Sequence, residues 1–290
     1  MSEDGDRTGV GPAGTGRSEV LASLEVPIVQ APMAGGPSTP ALARAVARAG
    51  GLGFVAAGYL PPERLGEDLA STRSELDRFG VNLFVPGREA ADPRLVEAYA
   101  RHLQAEADRV GVELGQPRTD DDWFEAKLDL LEAEPVSVVS FTFGLPPPRA
   151  VSRLRDVGSE VWFTVTSPDE ARAAEDAGAD ALIVQGVEAG GHRGVFVDDE
   201  TQSDLTLLAA LELIGAGSPL PMIGAGAIMT GAAVAAVLVA GAQAAQLGTA
   251  LLLTPEAATS EAQRRATMDS TPTALTRAFS GRSARGVSNR

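Results

Sequence analysis

Short apolar runs alternate along the chain with alanine-rich segments whose hydrophobic positions recur every three or four residues. The runs are continuous rather than alternating, which is typical of strands buried on both faces. The predicted strands are Ile28–Met33, Leu52–Ala57, Phe79–Val85, Val136–Phe143, Val161–Thr166, Ala181–Gln185, Leu220–Gly224 and Ala244–Leu247. Eight strands that alternate with helices favour an α/β fold of the (β/α)8 TIM barrel type. An open doubly wound sheet is the alternative that the same alternation permits.

Two helix starts are marked by local sequence. Thr39 followed by Pro40 predicts one start, and Gly50–Gly51 predicts the end of that helix. Ser167 begins a Ser-Pro-Asp-Glu capping box that places a proline at the first helical position. These signals lie between predicted strands, as the barrel pattern requires.

The segment between the third and fourth predicted strands is longer than one crossover needs. Residues Pro93–Leu114 and Asp120–Glu134 both show helical periodicity, and in the second Trp123, Leu130 and Leu131 share a face. We therefore expect a helical insertion over residues 87–135, beside or over the barrel mouth.

The flanking segments are more polar than the barrel. We expect a disordered N-terminal tail over residues 1–20, the barrel over residues 21–254, and a short, partly helical C-terminal segment over residues 255–290. Whether the end at Arg290 is native or a truncation stays open.

Composition narrows the function classes. The chain of 290 residues has no cysteine, which excludes disulfides, thiolate metal sites and cysteine nucleophiles. Its formal net charge of −15 disfavours nucleic acids and anionic membranes as partners. The first residues lack the basic start and apolar run of a signal peptide, and the apolar stretch Gly231–Leu253 is interrupted by glycine and glutamine. We expect a cytoplasmic protein that does not span a membrane.

The sixth predicted strand leads into the sequence Gln-Gly-Val-Glu-Ala-Gly-Gly-His-Arg-Gly, residues 185–194. Barrel enzymes place reactive groups just after the carboxyl ends of the strands. His192 lies there, and histidine titrates in the range that suits proton transfer near neutral pH. A structural histidine is the alternative, but this position favours a catalytic one. The other histidine, His102, is expected on an exposed helix surface.

Two further strand ends carry polar or glycine-rich sequence. Strand one ends in Gln30-Ala31-Pro32-Met33-Ala34-Gly35-Gly36, which forms either a tight turn or a close approach of backbone to a ligand. Asn82 lies within the apolar third strand and needs hydrogen-bond partners. Those partners are either a neighbouring strand or a cofactor ring.

The ends of strands seven and eight together predict a phosphate site. They read Gly224-Ala225-Gly226-Ala227-Ile228 and Gln246-Leu247-Gly248-Thr249. Barrels often bind phosphate with the loops after these two strands. The glycines are not followed by Lys-Ser/Thr, which argues against a nucleotide P-loop, and no compact metal-ligand spacing or Gly-x-Ser-x-Gly elbow is present.

Taken in order, these segments resemble the nitronate monooxygenase family, formerly called 2-nitropropane dioxygenases. The matching pieces are Gln30–Met33, Val81–Phe84, Gln185–Gly194, Gly224–Ile228, Gln246–Thr249 and Thr276–Arg282. The resemblance implies an FMN-containing barrel that oxidises alkyl nitronates with dioxygen to carbonyl compounds and nitrite. Its small-molecule partners would be a nitronate or nitroalkane and dioxygen, and a homodimer is an open alternative for its assembly.

The resemblance also implies roles for individual residues. His192 matches the catalytic histidine, which would abstract a proton from a nitroalkane or position the nitronate. Arg193 would help to attract that anion or would be a structural loop residue. The implied cofactor-binding residues are Ala31, Pro32, Met33, Asn82, Gln185, Gly190, Gly191, Gly226, Ala227, Gln246, Leu247, Gly248 and Thr249. Ala227 stands where the family usually has a second glycine, which is tolerable if its φ is negative.

Two alternatives remain open from the sequence. One is an FMN-dependent NAD(P)H reductase of the enoyl-acyl-carrier-protein or quinone reductase type on the same scaffold. The other is a flavin-binding protein without catalysis, which Ala227 and the early chain end bring into consideration.

Overall fold

The structure, a computed structural model, describes residues 18–87, 92–117, 121–199, 201–269 and 272–288. Its strands are β1 (Ile28–Gln30), β2 (Phe54–Ala56), β3 (Gly80–Phe84), β4 (Val138–Thr142), β5 (Glu160–Val165), β6 (Ala181–Gln185), β7 (Gly191–His192), β8 (Met222–Ala225), β9 (Ala244–Leu247), β10 (Thr273–Thr276) and β11 (Ala284–Val287). Eight of them pair in parallel in the order β1-β9-β8-β6-β5-β4-β3-β2, and a bridge from Val29 to Leu52 joins the two ends. The predicted eight-stranded barrel is confirmed.

Helices lie between the strands. They are α1 (Glu19–Ala22), α2 (Pro40–Arg48), α3 (Pro62–Arg73), α4 (Pro93–Val110), α5 (Phe124–Ala133), α6 (Pro148–Asp156), α7 (Pro168–Asp176), α8 (Leu207–Gly215), α9 (Gly231–Val239) and α10 (Glu261–Met268), with a 3-10 turn at Thr249–Leu251. The predicted starts of α2 and α7 are confirmed, because the side chains of Thr39 and Ser167 accept hydrogen bonds from the first turns. The carboxylate of Glu170 accepts from Thr166 N–H rather than from the cap residue itself.

The barrel interior is filled by inward-facing side chains, with Phe54 and Trp162 the largest. Val20 and Leu21 of α1 join this cluster. Glu160, the first residue of β5, accepts hydrogen bonds from Ser18 Oγ and from Val20 N–H. Helix α1 therefore covers the amino-terminal end of the barrel. The expected disordered tail was extended too far, since its residues 18–20 belong to this cap; its residues 1–17 lie outside the described residues.

The long crossover contains two different helices. Phe124, Leu128 and Leu131 of α5 are buried in the layer between strands and helices, so α5 is the ordinary crossover helix between β3 and β4. Helix α4 is the extra element, and Ala107 is its only buried residue. The shared face predicted for Trp123 was wrong: Trp123 precedes α5 with φ 51° and is 47% exposed.

The C-terminal segment is helical only over α10. After it, β10 and β11 form an antiparallel hairpin, and β11 also pairs with β7. In this small sheet Ala284 lies opposite His192. The sequence analysis did not predict the hairpin. Within the described part of the chain, no helix has the length and hydrophobicity needed to cross a membrane.

The junction between β1 and β2 is completed by a side chain. Gln30 is fully buried, its Nε2 donates to Phe54 O at 3.0 Å, and its Oε1 accepts from Phe54 N–H at 3.2 Å. The amide thus replaces a peptide unit where strand pairing is short. Gln30 Nε2 also donates to Ser38 Oγ at 3.1 Å, and this hydroxyl accepts from Met33 N–H at 2.8 Å. One amide therefore closes the barrel and fixes the loop after β1.

Replacement of Gln30 by leucine is predicted to lower the free energy of unfolding by about 2–4 kcal/mol, because it leaves both backbone groups of Phe54 buried and unpaired. Urea denaturation followed by tryptophan fluorescence measures the change. The matched control is Gln104→Leu on the exposed face of α4, which should stay within about 0.5 kcal/mol of the parent. Equal stabilities of the two variants would contradict the closing role of Gln30.

Candidate functional site

A cleft lies at the carboxyl ends of β1, β6, β8 and β9. It is lined by Ala31, Gln185, Ala189, Gly190, Ala225, Gly226, Ala227, Ile228, Met229, Gln246, Gly248 and Thr249. Eight of the predicted cofactor-binding residues are among them, namely Ala31, Gln185, Gly190, Gly226, Ala227, Gln246, Gly248 and Thr249. Strands distant in sequence thus bring most of the predicted set together.

The other five predicted cofactor-binding residues are outside this lining. Pro32 and Met33 lie in the loop after β1, and Leu247 ends β9 opposite Gln30. Gly191 belongs to β7, and Asn82 is buried within β3. The structure therefore divides the predicted set into eight residues that line the cleft and five that lie outside its lining.

Glycine is sterically favoured at two positions around the cleft. A Cβ atom on Gly190 would lie 2.8 Å from Thr249 Oγ1, so the Thr249 hydroxyl would have to move. Gly226 has φ 125°, and a Cβ there would lie 3.2 Å from Ala189 Cβ. Both glycines keep backbone exposed to the cleft where a side chain would narrow it.

Hydrogen-bond donors without protein partners face this region. Among the described residues, the backbone N–H groups of Gly226, Ala227 and Gly248 have no protein acceptor. The Nε2 of Gln246 is buried and also without a partner there. Buried donors are nearly always paired, so this group of donors is suited to a ligand that carries several acceptor oxygens. Clusters of backbone N–H groups of this kind bind anions.

Ala227 has a left-handed backbone, with φ 52°. The condition under which alanine would be tolerable there, a negative φ, is therefore not met. The backbone at Ala227 therefore has the left-handed conformation that a second glycine would adopt easily, and the alanine methyl group makes this conformation strained. Such a residue costs about 1–2 kcal/mol.

The backbone of His192 is held by the amide of Gln185. Gln185 Nε2 donates to His192 O at 3.1 Å, and Gln185 Oε1 accepts from Gly194 N–H at 2.8 Å. This clamp fixes the glycine-rich loop to the end of β6. Gln185 thus lines the cleft and positions the candidate catalytic residue.

The imidazole of His192 is half-buried at the mouth of the barrel. Its Nε2 forms a hydrogen bond with Ser280 Oγ, from the turn of the C-terminal hairpin. The rings of Phe143 and Phe279 lie 5.9 Å and 6.1 Å from it, centroid to centroid. Burial lowers the pKa of His192, the nearby charge of Arg282 lowers it further, and Asp198 opposes both effects. The imidazole is therefore neutral at pH 7 and able to accept a proton.

Arg193 is buried and binds backbone carbonyls. Its guanidinium donates to Gly186 O at 2.6 Å and to Ser203 O at 2.8 Å. Of the two roles left open for Arg193, the structure supports that of a structural loop residue.

Asn82 finds partners on the neighbouring strand. Its Nδ2 donates to the side chains of Ser140 and Thr142, both at 3.0 Å, and Thr142 Oγ1 lies 3.3 Å from Thr164 Oγ1. Polar side chains thus run across β3, β4 and β5. Asn82 Oδ1 has no hydrogen bond within the described residues, so one end of the amide keeps its capacity for a ligand.

Sequence reasoning missed the aromatic wall beside His192. Tyr59, Phe84 and Phe143 lie in succession, with ring centroids 5.4 Å and 4.7 Å apart. Tyr59 and Phe143 have φ 67° and 79°, and strained bulky residues of this kind occur at functional sites. Arg282 packs on Phe143, its Cζ 4.3 Å from the ring centroid. The position of Phe143 at the end of β4 was the available signal; nothing local marked the other residues.

Within the described residues, no group of three or more histidine, aspartate or glutamate side chains is arranged to hold a metal ion. His102 is exposed on α4, as predicted.

Comparison with known proteins gives a consistent result. The family model for nitronate monooxygenase matches residues 18–290. A nitronate monooxygenase of Pseudomonas aeruginosa is 41% identical over 285 residues, which span 95% of this chain and 80% of the relative. A probable nitronate monooxygenase of Staphylococcus aureus is 38% identical over 282 residues, spanning 93% of this chain and 77% of the relative.

Solved structures show the same similarity. A nitroalkane oxidase from Streptomyces ansochromogenes superposes with a TM-score of 0.90 at 46% identity, covering 94% of this chain and 80% of that one. FabK from Thermotoga maritima superposes with a TM-score of 0.72 at 28% identity, covering 93% of this chain and 74% of that one. The barrel is thus shared by both, and the first is the more similar in sequence and structure.

Replacement of Ala227 by glycine is predicted to raise the free energy of unfolding by about 0.5–1 kcal/mol, because glycine adopts this left-handed conformation without strain. The matched control is Ala235→Gly in exposed helix α9, which should lower it by about 1 kcal/mol. Urea denaturation of both variants measures the difference. A loss of stability in Ala227→Gly would contradict the strain.

Proposed function

Since the chain belongs to the nitronate monooxygenase family and is an oxidoreductase of this type, we propose that it oxidises alkyl nitronates with dioxygen in an FMN-dependent reaction. The products would be a carbonyl compound and nitrite. The observation that carries the proposal is the position of a neutral, half-buried His192 at the rim of a cleft that has unpaired backbone donors. A nitronate or nitroalkane and dioxygen are the proposed small-molecule partners. The cytoplasmic location and the homodimer remain predictions.

The residues around the cleft fit the phosphate of FMN. The N–H groups of Gly226, Ala227 and Gly248 and the hydroxyl of Thr249 would hold the phosphate oxygens. The unpaired Nε2 of Gln246 and the open Oδ1 of Asn82 would bind polar groups of the remaining cofactor. Bound FMN supplies the electron acceptor for the oxidation. The protein supplies binding, orientation and the proton acceptor.

His192 would act as the base toward neutral nitroalkanes. When Nδ1 carries the proton, the lone pair of Nε2 accepts a hydrogen bond from the Ser280 hydroxyl, and Ser280 would give up this contact when a substrate approaches. A substrate C–H that reaches this nitrogen would lose its proton to it, leaving the anionic nitronate. For a nitronate supplied as the anion, His192 would only position the substrate.

The aromatic side chains around His192 would contact the alkyl part of the substrate. Phe143 is buried, whereas Phe279 is 82% exposed at the outer side of the imidazole. An apolar wall on one side and a solvent-facing ring on the other favour a small organic substrate. They also keep the imidazole partly desolvated, which maintains its lowered pKa.

Replacement of Gly190 by alanine is predicted to weaken FMN binding by about 10-fold or more, because the new methyl group would press on the Thr249 hydroxyl. Fluorescence titration of the apoprotein with FMN measures the dissociation constant. Gly115→Ala is the matched control, since nothing lies within 4 Å of a Cβ at that position. Unchanged FMN affinity in Gly190→Ala would contradict the assignment of this edge of the cleft to the cofactor.

Replacement of His192 by glutamine is predicted to lower kcat/KM for nitroethane by about 10²–10⁴-fold, because the base is lost. The loss for ethyl nitronate should be much smaller. In the parent protein, kcat/KM for nitroethane should rise with pH as His192 loses its proton and then become level. The midpoint of the rise should lie below about pH 6.5, since the pKa of His192 is lowered from its ordinary value. Oxygen consumption measures each rate.

Anaerobic mixing of the flavin-loaded protein with ethyl nitronate or with NADH provides the opposing test. Reduction of the flavin by the nitronate is the expected result. Reduction by NADH alone would overturn the proposal in favour of an NAD(P)H reductase, and reduction by neither would favour a flavin-binding protein without catalysis.

A further inference from the structure

Arg282 is a second cationic group at the mouth of the site. It lies in the connection between β10 and β11, and its side chain is half-buried against the ring of Phe143. The same ring contacts His192. Arg282 and His192 therefore border one aromatic side chain, although they lie 90 positions apart in the sequence.

The guanidinium of Arg282 retains hydrogen-bonding capacity. Its Nη1 is buried and has no partner within the described residues, and no carboxylate there forms an ion pair with it. The carboxylate of Asp198 is already occupied: it makes two contacts of 2.8 Å with Arg277 and accepts from Ser283 N–H at 3.0 Å. A buried, charged donor without a partner is costly unless a ligand completes it.

Other cations near the mouth differ from Arg282. Arg193 is directed to backbone carbonyls, and Arg277 is held by Asp198. Arg285 also has an unpartnered buried Nε, but its Nη2 lies 3.4 Å from Val187 O, and its backbone pairs with Gly191 in the small sheet. Arg282 is distinguished by its contact with the Phe143 ring beside His192, in a chain whose net charge is −15.

We propose that Arg282 recognises the planar, two-oxygen anionic head of the substrate and orients it toward His192. The identity of that anion as a nitronate rests on the proposed function. A guanidinium presents parallel N–H groups in a plane, which matches two oxygens on one nitrogen or carbon. It remains protonated at any pH of interest, so it distinguishes anionic from neutral substrates without titrating itself.

Tyr59 completes the surroundings of this head-group site. Its backbone N–H donates to Asp122 Oδ1 at 2.8 Å, and Asp122 forms an ion pair with the buried Lys127 at 2.7 Å. This arrangement holds the strained Tyr59 beside Phe84. The backbone of Tyr59 is therefore held in place, and its ring begins the row of aromatic side chains that continues through Phe84 to Phe143, on which Arg282 packs.

The test compares Arg282→Gln and Arg282→Lys with the parent, each loaded with FMN. Arg282→Gln should raise KM for ethyl nitronate about 10- to 100-fold, with KM for neutral nitroethane changed by less than about threefold. Arg282→Lys keeps the charge but loses the planar guanidinium, so its KM for ethyl nitronate should lie between those of the parent and Arg282→Gln. The control is Arg265→Gln, which removes an exposed cation on α10. Its KM values for both substrates should equal those of the parent.

A binding experiment separates this inference from the proposed function. Nitrate is a planar oxyanion that is not oxidised, and its dissociation constant is measured by calorimetry. Arg282→Gln should weaken nitrate binding at least about tenfold, and Arg265→Gln should not. The parent protein could bind nitrate and yet fail to oxidise nitronates. If Arg282→Gln then loses nitrate binding, the anion site is supported and the proposed function is overturned.

The opposite outcome is also distinguishable. If the parent oxidises nitronates but a folded, FMN-loaded Arg282→Gln keeps the parent KM for ethyl nitronate, the inference is overturned and the proposed function stands. Equal nitrate affinities of parent and Arg282→Gln, or no nitrate binding and no nitronate oxidation by the parent, would likewise overturn it. Circular dichroism and the retained flavin spectrum establish that each variant is folded.

Discussion

The amide of Gln30 stands in for a peptide unit between β1 and β2, where the barrel closes with a single backbone bridge. A barrel of parallel strands is closed, without a free edge, when each strand pairs with a strand on both sides. The closure fixes β1 next to β9, and the same amide orders the loop after β1 through Ser38. Since Ala31 of that loop and Gly248 after β9 line one cleft, the shape of the cleft depends on an interaction outside it.

The candidate site combines parts with different kinds of support. The cleft is formed by strand ends and tight turns, whose positions are set by the barrel. The imidazole is held differently: Gln185 fixes its backbone from β6, while Ser280 and Phe279 reach it from the C-terminal hairpin. The proposed cofactor binding would therefore rely on the strand ends, whereas the proposed proton transfer would rely on the hairpin as well. Gln185 is common to both.

Much of the fold was predictable because buried parallel strands leave continuous apolar runs, and caps such as Ser167 act within one turn. The glycines and amides at the strand ends were recognisable for the same reason, since the barrel brings all those ends to one face. Arg282 and Tyr59 were not, because their importance comes from contacts with Phe143 and Phe84 that no local pattern records. The φ of Ala227 also escaped prediction, since alanine gives no signal of a left-handed turn.

The hairpin of β10 and β11 is joined to the barrel through the two-residue strand β7 and the ion pair between Arg277 and Asp198. Such an attachment has few buried apolar contacts, so it opens at a lower free energy than the barrel itself. Opening would release Ser280 and Phe279 from the imidazole while leaving Gln185 and the cleft intact. Opening of the hairpin would thus uncover His192 to small molecules without loosening the part of the structure that would hold a cofactor.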